Sequence, residues 1–133
     1  GEPHKLGTSR WEMKYDKRGN CIRTAYFGVD DQPTMNSLQY SSVEFEYDLR
    51  NNIVEERYFG LEEEPVVHKS GYHSQTHEYN FRNHRTLTRY FGLGGEKKAN
   101  SEGCAQKKTH YDAYGEKVKT ECLDVEGTVV KEL

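Results

Sequence analysis

Apolar residues are scarce in this chain of 133 residues, and no long hydrophobic run occurs in it. Only 33% of the residues are hydrophobic, 31% are charged, and the mean hydropathy is -1.05. No stretch approaches the roughly 18 apolar residues of a membrane-spanning helix, so we expect no membrane insertion. Such a thin core fits an elongated array better than a compact globule, because an array exposes more surface per residue.

Cysteine is scarce too, and neither sign of charge dominates. Three cysteines without a Cys-x-x-Cys spacing are too few for a disulfide framework and lack the pattern of zinc or redox sites. The net charge of -3 and the interleaving of acids with bases argue against nucleic-acid binding. Helix start signals are absent, whereas ten tyrosines, five phenylalanines and one tryptophan can supply a folded core.

Catalytic motifs are missing as well. The chain has no Gly-x-Ser-x-Gly, no phosphate-binding loop, no His-Glu-x-x-His, and no serine or cysteine beside a plausible base. We therefore predict a protein that is not an enzyme and that uses no cofactor.

What the sequence does contain is a repeat of 32 residues. Tyr-Asp or Tyr-Asn recurs at this interval, and Tyr-Phe-Gly follows it in the first three copies. The units span residues 4–35, 36–67, 68–99 and 100–131, and the fourth has Cys122-Leu123-Asp124 in place of Tyr-Phe-Gly. A divergent end unit is typical of repeat arrays, whose outer face has no neighbour to cover it. We predict a single repeat domain over residues 1–133.

The Tyr-Asp segments predict one hairpin turn in each unit. A side chain that accepts hydrogen bonds is followed three residues later by glycine or asparagine, the residue types that best tolerate positive φ. This combination favours a type I turn closed by a left-handed residue, which is the three-residue hairpin loop with a G1 bulge. The predicted turn residues are Asp16 and Gly19, Asp48 and Asn51, Asn80 and Asn83, and Asp112 and Gly115.

Alternating apolar residues flank these turns and predict strands. Val43, Phe45 and Tyr47 alternate with polar residues before the second turn, and Val54 and Tyr58 continue the pattern after it. The first unit has the same alternation. The predicted fold class is therefore all-β, an antiparallel β-meander of four tandem 32-residue β-hairpin repeats.

The third unit departs from this pattern, because Gln75 and His77 take its inward positions. His77 replaces Phe45 of the second unit and Met13 of the first. Either the third unit packs loosely, or these polar side chains form a pair whose hydrogen bonds must be satisfied.

The Tyr-Asp-x-Arg-Gly-Asn segment that begins at Tyr15, with its sisters at Tyr47 and Tyr79, resembles the Tyr-Asp repeats of the bacterial RHS/YD class. The Tyr-Phe-Gly half of each unit is similar to bacterial tandem repeats of the Tyr-Phe-x-x-Asp-Gly-x-Pro-Val type. The resemblance implies strands, a bacterial source, and an exported, periplasmic or cell-surface location. It implies no catalytic residues, because the repeated motif is structural.

Two functions stay open. In the first, the array is an interaction scaffold that contacts a protein or glycan partner through Tyr40, Tyr72 and the acidic turns, with His73 and His77 as further candidate binding residues. In the second, it is a ligand-free spacer or shell segment of a larger protein, and its tyrosines are consumed in packing. A contiguous exposed aromatic patch would favour the scaffold, whereas burial of Tyr40 and Tyr72 would exclude sugar stacking on them.

Metal binding is not predicted. His68, His73, His77 and His84 lie within seventeen residues, but strand geometry separates their side chains along the hairpin. The acidic turns that follow Tyr-Phe-Gly lack the alternating aspartates of a calcium loop, so we interpret them as solvated turns.

Cys104 and Cys122 replace tyrosines of the sister units, which leaves two alternatives. If the last turn closes between Asp112 and Glu116, Cys104 lies diagonal to Cys122, and diagonal neighbours are about 7–8 Å apart. That distance exceeds the usual limit for a disulfide, although a small register shift would bring the two cysteines together. The pair is therefore either a disulfide or two buried free thiols.

Overall fold

Nine strands form one antiparallel sheet in which each strand pairs with the next along the chain. The computed structural model describes residues 9–133, so residues 4–8 of the predicted first unit lie outside the described residues. The strands are β1 (Arg10–Tyr15), β2 (Cys21–Phe27), β3 (Ser42–Tyr47), β4 (Ile53–Phe59), β5 (Ser74–Tyr79), β6 (Arg85–Phe91), β7 (Gln106–Tyr111), β8 (Lys117–Leu123) and β9 (Val129–Glu132). The predicted all-β antiparallel meander is confirmed. Nothing in the described range is a helix that could cross a membrane.

One kind of turn reverses the chain eleven times within residues 9–133. In each turn, the amide of the first residue donates to the carbonyl of the fifth, and the amide of the fourth donates back to the carbonyl of the first. The fourth residue always has positive φ, between 63° and 99°. The four predicted hairpin turns are of this kind. In each hairpin the register also shifts by one residue just beyond the turn, at the tyrosine of the Tyr-Asp or Tyr-Asn motif.

Three such turns make up a repeat unit. In the second unit the left-handed residues are Gln39, Asn51 and Glu63, and Gly71 opens the next unit. The intervals are 12, 12 and 8 residues, and they sum to the period of 32. The segment from Asn36 to Tyr40 is therefore an ordered turn, one that the sequence analysis did not predict.

Side-chain oxygens fix most of these turns. Asp48 Oδ1 accepts the amides of Arg50 and Asn52, both at 2.9 Å. The amide of Asn52 contributes most to a pKa of Asp48 below its ordinary value. The ionised carboxylate is thus the form that holds the turn.

Turns that begin with glycine after Tyr-Phe use another oxygen. In the turn that starts at Gly60, the carboxylate of Glu64 bends back, and its Oε1 accepts the amide of Glu62 at 2.9 Å. A Cβ at Gly60 would lie 2.6 Å from that carboxylate. A side chain at this position would displace the carboxylate of Glu64 from its place in the turn.

The two faces of the sheet differ in chemistry. The register places Tyr58 opposite Val43, and Glu56 opposite Phe45, on the face that also carries the other strand tyrosines; we call this the tyrosine face. The opposite face is charged, and there Arg57 forms ion pairs with Glu44 at 3.4 Å and with Glu55 at 3.1 Å. One face is thus available for a core and the other is solvated.

The core lies between the tyrosine face and one turn of each unit. These turns span residues 36–40, 68–72 and 100–104, and we call them the covering turns. After Phe27 pairs with Pro33, the chain leaves the sheet, makes the turn of residues 36–40, and rejoins the sheet at β3. This excursion lays Tyr40 against Tyr58, with ring centroids 4.9 Å apart. The buried cluster consists of Tyr40, Val43, Tyr58, Tyr72 and Tyr90.

Tyrosine hydroxyls join each unit to the one before it. Each of these hydroxyls donates to a main-chain carbonyl at the start of a strand in the preceding unit. The bonds run from Tyr47 to Cys21 at 2.6 Å, from Tyr79 to Ile53 at 2.6 Å, and from Tyr111 to Arg85 at 2.7 Å. The tyrosine of the Tyr-Asp motif therefore connects units, while the following acid or amide shapes the turn.

Turns stack on turns as well. The amide of Lys69 donates to the carbonyl of Leu38 at 2.9 Å, and the amide of Ser101 donates to that of Ser70 at 2.7 Å. These bonds run at the outer side of the core, so the covering turns form a second ladder parallel to the sheet.

Strand β9 occupies the outer edge of β8. Residues 129–132 correspond to residues 33–36 of the first unit, where the chain leaves the sheet. In the fourth unit the chain stays in the sheet, and Cys122 pairs with Lys131. The edge of β8 is thereby paired over residues 121–123.

Removing one inter-unit hydroxyl tests this arrangement. We expect Tyr79→Phe to lower the free energy of unfolding by about 1 kcal/mol, the usual net value of one hydrogen bond. Tyr15→Phe is the matched control, because the Tyr15 hydroxyl contacts only Met13 Sδ, at 3.4 Å, among the described residues. Urea unfolding measures both, and equal losses would contradict the proposed role of the hydroxyl.

Candidate functional site

The four residues predicted to contact a partner do not form an exposed surface. Tyr40 and Tyr72 are each 7% exposed and His77 is 4% exposed. The prediction of exposed contacts at Tyr40 and Tyr72 is wrong, because the turns that carry them fold over the sheet instead of projecting from it. His77 is buried, as expected for a residue that takes the place of Phe45 and Met13. His73 is half-buried, and its Nδ1 lies 3.0 Å from the carbonyl oxygen of Val66.

The histidines of the third unit lie apart. The ring of His68 stacks on that of Tyr72 at 5.1 Å, inside the core. The ring of His84 lies against Tyr111, at the hairpin-turn end of the strands. Within residues 9–133, no three His, Cys, Asp or Glu side chains are placed to hold a metal ion.

His77 is the centre of a buried hydrogen-bond network. Its Nδ1 lies 2.8 Å from Thr88 Oγ1, and its Nε2 lies 2.7 Å from Glu56 Oε2. The three side chains come from β6, β5 and β4, so the network connects the second and third units. Both nitrogens of the buried imidazole are satisfied, as burial of a polar group requires.

Gln75 extends the polar contacts toward the covering turn. Its Nε2 donates to the hydroxyl of Tyr58 at 2.8 Å and approaches that of Tyr72 at 3.4 Å. The polar pair predicted for Gln75 and His77 is therefore satisfied, although each bonds to other residues and not to its neighbour.

Burial controls the ionisation of the aromatic core. Desolvation raises the pKa of Tyr40 and of Tyr72 to about 12, and it also raises the pKa of Tyr58, which lies near the carboxylate of Glu56. Burial lowers the pKa of His68, although Glu56 acts in the opposite direction. The tyrosines are thus held in their neutral forms, and burial favours the neutral imidazole of His68 beside them.

The order hydroxyl, imidazole, carboxylate in Thr88, His77 and Glu56 is that of an acyl-transfer triad. Thr88 is only 7% exposed in the middle of a strand, and the His77 side chain is fully buried. This geometry offers little surface for attack on a substrate. The network is better suited to holding two units together.

Glu56 was missed by the sequence analysis. Its position holds threonine in the other units, as Thr24, Thr88 and Thr120. An acid that appears once at an inward position, one strand away from a histidine that also appears once, is the signal that would have identified the pair.

Cys104 and Cys122 form a disulfide with their Cα atoms 5.1 Å apart, and both are fully buried. The diagonal geometry expected from the sequence is wrong, because Cys104 ends a covering turn and does not belong to the adjacent strand β7. It approaches Cys122 from above the sheet. Cys21 is the free cysteine of the described residues.

The disulfide takes the place of a tyrosine pair. Sixty-four and thirty-two residues earlier, the same two positions hold Tyr40 with Tyr58 and Tyr72 with Tyr90, whose rings are 4.9 Å and 4.6 Å apart. In the last described unit a covalent bond therefore replaces ring packing between the covering turn and the sheet.

One exposed apolar patch lies on the first hairpin. Trp11, Met13, Tyr15 and Ile22 are 61%, 44%, 58% and 36% exposed. They belong to the paired strands β1 and β2 and lie together at the end of the sheet. Contiguous exposed apolar surface of this kind often marks a contact site.

The chain matches no protein-family model and no curated protein. The resemblance to Tyr-Asp repeats accordingly remains a prediction.

Replacing His77 by the residue of the second unit tests the polar network. We expect His77→Phe to lower the free energy of unfolding by about 1–3 kcal/mol, because Glu56 and Thr88 lose buried partners. The double variant Glu56→Thr with His77→Phe removes the unpaired acid and should recover most of that loss. Failure of the double variant to recover, measured by urea unfolding, would mean that the loss reflects packing alone.

Opening the disulfide should loosen the last described unit. The bond closes a loop across a sequence separation of 18, for which chain entropy predicts about 3 kcal/mol of stabilisation. The variant Cys104→Ser with Cys122→Ser should therefore unfold at a lower urea concentration, whereas Cys21→Ser should change little. Intact mass with and without reductant must differ by two hydrogens for the native chain, and no difference would contradict the bond.

Proposed function

We propose that this chain is a non-catalytic structural segment, a rigid spacer or shell element of a bacterial exported protein. The observation that carries the proposal is the use of the recurring side chains between units. Tyr47, Tyr79 and Tyr111 bond to carbonyls of preceding units, and Tyr40 and Tyr72 are buried under covering turns. The tyrosines that recur once per unit thus make their contacts within the array.

The disulfide supports the exported location. Buried disulfides form and persist in oxidising compartments and are rare in the cytosol. Cys104 and Cys122 lie where the sister units have tyrosines that need no oxidation.

An interaction scaffold is the second candidate, and the exposed patch of Trp11, Met13, Tyr15 and Ile22 favours it. A partner that covers this patch would bury the only tryptophan of the chain. A shift of its fluorescence to shorter wavelength would therefore report such a contact.

A spacer must lengthen by a fixed step when a unit is added. We expect a chain with residues 36–67 duplicated in tandem to fold and to become longer by about 10 Å, which is two strand spacings. Small-angle X-ray scattering measures the length and circular dichroism the strand content. An insert of the same composition in scrambled order is the control and should give a flexible loop.

The proposal would fail if the duplicated chain lost its cooperative unfolding or kept the original length. Either result would mean that the units do not stack independently of their place in the array.

A further inference from the structure

A groove of about 430 Å³ opens on the tyrosine face between the third and fourth units. Cationic and hydroxyl-bearing side chains line most of it, and no acidic residue is among the lining residues. The cations are Arg85, Lys107 and Lys117, and the threonines are Thr88, Thr109 and Thr120.

Short side chains create this groove. One unit earlier, the positions of Thr88 and Thr109 hold Glu56 and His77, which fill the space between the second and third units by bonding to each other at 2.7 Å. The threonines are shorter, and the space above them is left open.

The basic character of the groove is also specific to this junction. Arg85 and Lys107 stand where the preceding unit has Ile53 and Gln75. The hairpin bulges pair Arg85 with Tyr79 and Lys117 with Tyr111, so that these two cations share the tyrosine face with their partners. Arg85 Nη2 accordingly lies 3.4 Å from the Tyr79 hydroxyl.

Lys107 is held in place on the middle strand, at the end of the groove that lies away from Arg85 and Lys117. Its Nζ lies 2.9 Å from Glu102 Oε1, which reaches it from the covering turn. Burial lowers the pKa of Lys107, but hydrogen bonds with Glu102 and Tyr90 leave that pKa above its ordinary value. An ammonium has three donors, and the bond to Glu102 uses one of them.

Hydroxyl groups supply the remaining polar surface. Thr109 Oγ1 and Thr120 Oγ1 are 3.3 Å apart, and each retains capacity for a further hydrogen bond. Arg85, Lys107 and Lys117 come from three successive strands, which spreads the cations over about 10 Å across the sheet. Lys107 also lies three to four residues further along the strands than the other two, which adds roughly 10–13 Å in that direction. A ligand that uses them together with the hydroxyls must be wider than one inorganic anion.

We propose that this groove binds an acidic saccharide, with uronate carboxylates among Arg85, Lys107 and Lys117 and with sugar hydroxyls on Thr109 and Thr120. The spacing of the cations and the hydroxyls between them match a chain of hydroxylated rings that carry carboxylates. The site adds a binding activity to the structural role, which does not depend on it.

The probe is digalacturonic acid, titrated into the isotopically labelled chain and followed by amide chemical shifts. We expect saturable shifts at Thr109, Thr120 and their neighbours. The fully methyl-esterified disaccharide has the same rings without charge, and it should not bind. Inorganic phosphate tests whether a bare anion suffices, and it should bind much more weakly than the disaccharide.

Each variant replaces a groove residue by the residue at the equivalent position between the second and third units, where the same fold already contains it. Arg85→Ile and Lys107→Gln copy Ile53 and Gln75, and each should weaken binding by about tenfold or more, the loss expected for a hydrogen bond to a charged group. Lys119→Gln is the matched control: it removes the same charge from the same strand as Lys117 but lies on the charged face.

Saturable binding of the acid form alone, lost in the two groove variants and kept in Lys119→Gln, supports the proposal. Absence of saturable binding would overturn it, as would equal binding of the ester. An equal loss of affinity in Lys119→Gln would mean that binding depends only on net charge. Equal affinity for phosphate would mean that the groove binds any anion and does not recognise a saccharide. Either result would also overturn the proposal. Each of these results would leave the spacer function standing.

Discussion

The structure depends on a backbone constraint, the left-handed fourth residue of a five-residue turn. This conformation closes two main-chain hydrogen bonds and adds the bulge that gives neighbouring strands their twist. Because the turn recurs at intervals of 12, 12 and 8 residues, it fixes both the strand length and the period. Glycine is not required at each fourth position, since Asp31, Gln39, Asn51, Glu63 and Asn83 also adopt positive φ. These residues lie in the first three units, whereas the three left-handed residues of the fourth unit are all glycine.

The 8-residue interval between turns gives the array a second layer above the sheet. It is too short to hold another pair of long strands, so the chain makes a small excursion that covers the tyrosine face. A sheet with one bare apolar face would be a hazard for aggregation. Here tyrosine rings and covering turns protect part of that face, and tyrosine hydroxyls and turn amides donate to carbonyls of the preceding unit. A thin core is thereby sufficient for a chain with so few apolar residues.

The fold could be predicted to a large extent, because period, turn chemistry and alternation all act over short distances. Asp16 with Gly19 and Val43 with Phe45 carry their information locally. The covering turn could not be recognised by the same logic, since Asn36 and Gln39 do not look like a turn of that kind until its hydrogen bonds are seen. Tyr40 and Tyr72 were therefore expected at the surface. The bond between Cys104 and Cys122 was undecidable for the same reason, because its geometry depends on an excursion out of the sheet plane.

The polar network and the basic groove show a different limit of prediction from sequence. A pattern of inward positions indicates which residues lie on one face, but it does not indicate which pairs across a unit boundary meet. Glu56 and His77 form a hydrogen bond because their strands, β4 and β5, pair in the sheet. One unit later, threonines at those positions leave room beside Lys107. Comparison of units position by position detects such changes only when the register between units is known.

Strand order has a consequence for how the chain folds. Every strand pairs only with its sequence neighbours, so no strand pairing has to wait for a distant part of the chain, and folding rates rise as contacts become more local. Any hairpin can form first and serve as a template on which the next one docks, as in other repeat arrays. The disulfide lies within the fourth hairpin unit, so oxidation can follow local folding without waiting for distant parts of the chain. A chain that emerges from its N-terminus can therefore form its hairpins in order, each docking on the one before it.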